Sequence, residues 1–327
     1  MNGPGLLMPL YGIAFLLIQA AFWPYAAGIA IFAIGLTMLL RSGAWKAQGL
    51  DKAIAFGGLF FAVPLAVFGG DHFVFSRDIA GAVPSWIPGH LFWVYFVGTA
   101  LFAAALSIVV NRYSALAATL SGLMIFSFVL LISVPRVAGN LGDRFAWAVL
   151  LRDLFFSGGG LAFAVAQAKK PQDWSKLIAV IRTSMGIVSV IFGIEHFLHP
   201  QFVPVVPLKQ LMPPWIPGHV PLAFATGAVM IASGLCIVLN WKARMAATAL
   251  GIVVFVIVVQ IYLPIAIAKL SDIGNGLNYV ADTLLFSGSA LLLAGALPKD
   301  TSRKVRQRAS REGPFSESEL LETPADK

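Results

Sequence analysis

Five histidines are the side chains best suited to chemistry in this chain: His72, His90, His196, His199 and His219. Four of them form two related pairs. Phe68-Gly69-Gly70-Asp71-His72-Phe73 returns as Phe192-Gly193-Ile194-Glu195-His196-Phe197, and Trp86-Ile87-Pro88-Gly89-His90 returns letter for letter as Trp215-Ile216-Pro217-Gly218-His219. In each pair one histidine closes an apolar run and the other opens the next, with a proline-rich connection between them. Imidazole beside carboxylate can do general acid–base work on a lipid-soluble substrate such as a quinone or isoprenoid. Two imidazoles and a carboxylate can bind a transition metal, and paired histidines can ligate haem. No spacing of the HxxxH or HExxH kind singles out a metal site. The acids Asp71 and Glu195 precede their histidines directly, and consecutive helical residues point about 100° apart, so each acid serves a different neighbour.

The elements that must hold these groups follow from composition. Of 327 residues, 58% are hydrophobic and 12% charged, against about 25% charged in a soluble domain. This excludes an ordinary cytosolic enzyme and any disordered or fibrous class, and leaves an all-α polytopic membrane protein. The apolar residues run continuously rather than alternating, which excludes a transmembrane β-barrel. Spans are expected at 6–21, 26–40, 53–75, 90–110, 114–134, 145–165, 177–197, 219–239, 243–268 and 277–297. The first two are short for full crossings and share a turn at Trp23-Pro24, so nine or ten crossings result. The N-terminal run lacks a basic n-region, its first charge being Arg41, and is expected to be retained. Cys236 is the single cysteine, which excludes an intramolecular disulfide, a CxxC pair and a thiolate-built cluster.

The net charge of +8 is local, with Lys299, Arg303, Lys304, Arg306, Arg308 and Arg311 crowding the end of the chain. It reads as a disordered basic tail near anionic headgroups, not as a nucleic-acid surface. Loop Lys and Arg residues number about 15 on the tail's side and about five on the other, which places the C-terminus in the cytoplasm and the histidines near the outer face, in a bacterial inner membrane.

Repetition organises the whole chain. From the Trp-Ile-Pro-Gly-His strings the halves align without a gap to Pro135 and Pro264, with about 19 identities in roughly 50 positions. Phe156-Ser157-Gly158 matches Phe286-Ser287-Gly288. Each unit holds four spans, an even number, so both enter the membrane in the same direction. The expected division is an N-terminal hydrophobic hairpin at 1–50, four-helix repeats at 51–170 and 171–297, and a tail at 298–327. The repeats are expected as two tandem parallel four-helix bundles.

Arg152, Asp153 and Asp282 fall inside the spans, where ionisable groups are costly and face the bundle interior or a cavity. The functional expectation gathers Asp71, His72, His90 and Asp153 at one outer-leaflet pocket, with Glu195, His196, His219 and Asp282 as its counterpart. The histidines with Asp153 and Asp282 would handle protons, and Asp71, Glu195, Trp86 and Trp215 would contact the ligand. A plainer role is open for each: helix-start caps for the histidines, interface anchors for the tryptophans, and a structural pair of Arg152 with Asp71 or Asp153. Gly158-Gly159-Gly160 suits close helix packing.

The run His72-Phe73, then Val83-Pro84-Ser85-Trp86-Ile87-Pro88-Gly89-His90, then Trp93, Tyr95, Gly98 and Ala103-Ala104-Ala105 resembles the DoxX/DoxD-like membrane proteins. Glu195-His196-Phe197 and Pro214-Trp215-Ile216-Pro217-Gly218-His219 resemble them again, so the likeness spans about residues 52–297. It implies four-helix modules, and a component of a membrane redox system that meets a quinone or other lipophilic small molecule and a soluble redox partner protein. The second copy has Pro221, Leu222 and Phe224 where the first has Phe92, Trp93 and Tyr95, which favours the first half as the working one. A small-molecule or lipid transporter and a non-catalytic scaffold subunit are the competing readings.

Overall fold

The computed structural model of the protein describes residues 22–206, 208–268 and 273–299. Nine helices among the described residues are long and apolar enough to cross a membrane. They are α1 (Phe22–Ser42), α2 (Leu50–Val74), α3 (His90–Val109), α4 (Ser114–Gly139), α5 (Arg144–Ala166), α6 (Pro171–Leu198), α7 (His219–Val238), α8 (Ala243–Ala268) and α9 (Asn278–Ala296). The chain is an all-helical, polytopic membrane-type fold. The expected span 6–21 and most of the tail lie outside the described residues. Trp23 and Pro24, where a turn was expected, are helical in α1, and the residues that precede Phe22 lie outside the described ones.

Local chemistry sets the helix ends, and it does so twice. Gly89 and Gly218 sit at φ 72° and 66° immediately before α3 and α7, a left-handed conformation that glycine adopts without penalty. This accounts for the glycine of the repeated Trp-Ile-Pro-Gly-His string. Asn111 and Asn240 take φ 53° and 54° in the turns that leave α3 and α7. Near their ends, α4 and α8 widen into single π-helical turns at Val129–Ser133 and Val258–Tyr262. Pro135 and Pro264 follow, and a proline lacks the N–H that would continue the regular ladder.

The four helices of each half do not close on themselves. The first helix of each half packs along the last helix of the other, α2 against α9 and α6 against α5, while α5 and α9 pack on each other at the centre. Two tandem parallel four-helix bundles were expected; the contacts of α2 with α9 and of α6 with α5 tie each half to the other.

Aligned positions of the two repeats meet across the α5–α9 contact. Arg152 bonds its own counterpart Asp282 across 130 residues of sequence, Nη1 to Oδ2 at 2.9 Å. Gly159 lies directly against its counterpart Ser289, where even a Cβ on the glycine would collide. Phe155 and Phe286 stack between these two contacts, with ring centroids 3.7 Å apart. Equivalent positions touch only where they approach a two-fold axis, so a pseudo-two-fold axis runs between α5 and α9. Related hydrogen bonds flank it: Ser157 Oγ donates to the Gly122 carbonyl at 2.9 Å and Ser287 Oγ to the Gly251 carbonyl at 2.8 Å. The buried aliphatic and aromatic core, with Phe61, Leu65, Met185, Met230, Leu250 and Leu285 nearly inaccessible, surrounds this centre.

Candidate functional site

Close helix approach delivers the two inner histidines. Gly69 of α2 packs on the backbone of Gly98 in α3, and Gly193 of α6 on that of Gly227 in α7, with an added Cβ meeting the facing carbonyl at 3.1 and 2.7 Å. A Cβ on Gly98 would reach the His72 Cβ at 2.8 Å, and one on Gly227 the His196 Cβ at 3.0 Å. Each histidine is thus wedged at the same place in its half. The ring Nδ1 bonds the carbonyl one turn back: His72 to Phe68 at 2.7 Å, His196 to Phe192 at 2.5 Å. A carbonyl oxygen only accepts, so Nδ1 carries the proton; assigned in this way, the neutral ring presents Nε2 as an acceptor.

In the first half this histidine lines a cavity of about 420 Å³. Asp71 and His72 of α2, Arg152 of α5, and Asn278, Tyr279 and Asp282 of α9 supply its polar groups, and Leu65, Phe68, Leu101, Phe128 and Phe156 its apolar walls. Ligand pockets of about 300–1,000 Å³ are built this way, apolar with a few convergent polar groups. Arg152 holds two carboxylates at once, Asp282 through Nη1 and Asp153 through Nε and Nη2, all at 2.9 Å. The Asp71 carboxylate, on a residue 6% exposed, has neither ion pair nor hydrogen bond among the described residues. Tyr25 of α1 donates to Asn278 at 3.3 Å and ties the extra helix to the rim.

The second half presents the same shell with its interior filled. The connection between α6 and α7, longer than its counterpart, folds inward so that Val203, Val205 and Val206 are almost wholly buried. The Val205 N–H donates to His196 Nε2 at 2.7 Å, and the Tyr262 hydroxyl to the Pro204 carbonyl at 2.6 Å. Further along, Arg144 Nη2 holds the Leu208 carbonyl at 2.5 Å, and Leu208 becomes part of the wall of the first-half cavity.

The expected residues therefore divide. Asp71, His72 and Asp282 come together in one cavity, drawn from both halves rather than one. Asp153 reaches that cavity only through Arg152. His90 and His219 are the first residues of α3 and α7 and stay out of it, because the left-handed glycine before each starts the helix at the loop end. Trp86 and Trp215 are 71% and 56% exposed in the connections and do not line it. Glu195 pairs with Arg144 at 3.3 Å beside a smaller cleft between α5 and α6, away from the first-half cavity. His196 is a satisfied core histidine. The sequence offered Asp71 or Asp153 as the partner of Arg152; the structure pairs it with Asp153, not Asp71, and adds the bond to Asp282, whose signal was the aligned register of the two positions. Tyr25, Asn278 and Tyr279 gave no motif.

Among the described residues no group of three or more His, Cys, Asp or Glu side chains is placed to hold a metal ion. Known proteins offer no template either: no protein-family model, curated protein or solved structure matches the chain.

Proposed function

We propose that the chain is a DoxX-like membrane component that binds a quinone or other lipophilic small molecule in the first-half cavity. The observation that carries this reading is the convergence of Asp71, His72, Arg152, Tyr279 and Asp282 on an otherwise apolar cavity of about 420 Å³. Ionisable groups are kept at such depth where a pathway or ligand uses them. In this reading the repeats are two DoxX-like four-helix units of parallel orientation, and the histidine end faces outward with the basic tail in the cytoplasm, the orientation that the excess of loop Lys and Arg on the tail's side favours. The cavity then opens toward the outer leaflet of a bacterial inner membrane, where a lipophile arrives laterally and a soluble redox partner can approach the outer connections. His72 Nε2 and the Asp71 carboxylate accept protons or hydrogen bonds from the bound molecule, and Arg152 fixes Asp282 and Asp153 behind them.

The test is equilibrium binding of a short-chain ubiquinol analogue, kept reduced under anaerobic conditions, to the protein in lipid nanodiscs. Wild type should bind it, and His72→Phe and Asp71→Asn should each weaken binding tenfold or more. His90→Ala should leave it unchanged. Equal binding by all four proteins would remove the cavity from the account.

A further inference from the structure

The two halves carry the same pocket in two states, and the filled one shows what its shell accepts. Where the open cavity has Phe68, His72, Leu101, Ile125 and Phe156, the second half has Phe192, His196, Met230, Val254 and Phe286, all buried. Against His196 lies the chain's own segment 203–206, with its valines buried in the same half. That segment offers one hydrogen-bond donor, the Val205 N–H, to His196 Nε2 at 2.7 Å, and surrounds it with methyl-branched side chains. It also holds Val205 at φ 88°, a conformation that β-branched residues adopt only when their surroundings over-determine it. The pocket's demand for a donor and a branched apolar body thus outweighs the strain.

We propose that segment 203–206 is a built-in occupant of the second pocket, and that the first pocket takes a diffusible molecule of the same description: a methyl-branched lipophile that donates an O–H to His72 Nε2. This rests on the reading of the first-half cavity as a ligand site and deepens it. Both histidines share the Nδ1-to-carbonyl bond, so both offer a lone pair at Nε2, and among the described residues only that of His196 is taken. A ligand carbonyl brought to His72 Nε2 would set acceptor against acceptor. A hydroxyl sets donor against acceptor, as Val205 does. The cavity therefore discriminates a prenyl hydroquinone from its oxidised form, and each chain holds one molecule rather than two.

The experiment uses the full chain in nanodiscs under anaerobic conditions, titrated calorimetrically with prenylhydroquinone, the matching prenylbenzoquinone and prenylhydroquinone dimethyl ether. Expected is one hydroquinone per chain, bound about tenfold tighter than the ether or the quinone. In His72→Phe the three probes should bind alike. Shortening the connection by deleting 203–206 should raise the stoichiometry from one to two; where that variant does not fold, the three-probe comparison decides by itself. Equal affinity of the three probes for wild type overturns the donor assignment while leaving the cavity as a site. Two molecules per wild-type chain overturn the built-in occupant. Absence of binding by every probe, with His72→Phe indistinguishable from wild type, defeats the cavity reading itself.

Discussion

Replacing Arg152 with glutamine should be among the most damaging single changes in the protein. The guanidinium lies between Asp153 and Asp282 at 2.9 Å from each, at the centre of the interface between the halves. Without it two carboxylates are left facing each other, and Asp71 lines the same cavity. Removing one partner of a buried ion pair costs roughly 3–5 kcal/mol. The side chains keep 19%, 15% and 8% exposure, so the lower end, about 3 kcal/mol, is expected. Asp282→Asn should cost less, about 1–2 kcal/mol, because Arg152 retains Asp153 and the amide can still accept its hydrogen bond. The assay is reversible unfolding in mixed SDS and detergent micelles, followed by far-ultraviolet circular dichroism. About 3 kcal/mol is more than a hundredfold in the folded-to-unfolded ratio. The reasoning fails if Arg152→Gln lies within about 0.5 kcal/mol of wild type, the spread of ordinary surface substitutions, or if Asp282→Asn is the more damaging of the two.

Other expectations follow from the packing. Gly98→Leu places a side chain where a Cβ would already stand 2.8 Å from the His72 Cβ; it should destabilise by about 1–3 kcal/mol and weaken ligand binding, read by the same unfolding and nanodisc assays. Because α2 packs on α9 and α6 on α5, separately tagged fragments 1–170 and 171–327 should co-purify when co-expressed, and recovery of the two fragments apart would count against interlocked halves. A cysteine at Ser85, in a chain whose Cys236 is replaced by serine, should react with a membrane-impermeant maleimide from the periplasmic side. Labelling only after the cytoplasmic face is opened would invert the orientation.

Much of the helical frame was legible because bilayer crossing demands long uninterrupted apolar runs, and eight of the expected spans lie within a few residues of helices α2–α9. The repeated turns were legible for the same local reason in both halves: glycine at a left-handed helix start and proline after a widened turn leave letters in the sequence. The site was only half legible. His72 and Asp71 were visible as an imidazole and an acid at a span end, but Asp282, which lines the same cavity, comes from the other half, and the helix contacts that bring it there depend on long-range packing. His90 and His219 belong to the most exact repeat, and that repetition coincides with a helix-start geometry at the loop end, away from the cavity. The asymmetry of the pockets lay in the extra length of the second connection, whose valines carry no chemical signature until they are seen buried against His196.

The central claim, that the first half's cavity is where this protein holds a lipophile, is tested most directly by photo-crosslinking. A diazirine-bearing prenyl hydroquinone is irradiated with the protein in nanodiscs, and the modified peptides are mapped by mass spectrometry. The account expects adducts on α2 around Phe68–His72 and on α9 around Tyr279–Leu285, competed away by unlabelled prenylhydroquinone and lost in His72→Phe. Adducts confined to the open apolar groove between α3 and α4, at Ala103, Leu116 and Leu120, and insensitive to competition, would contradict it.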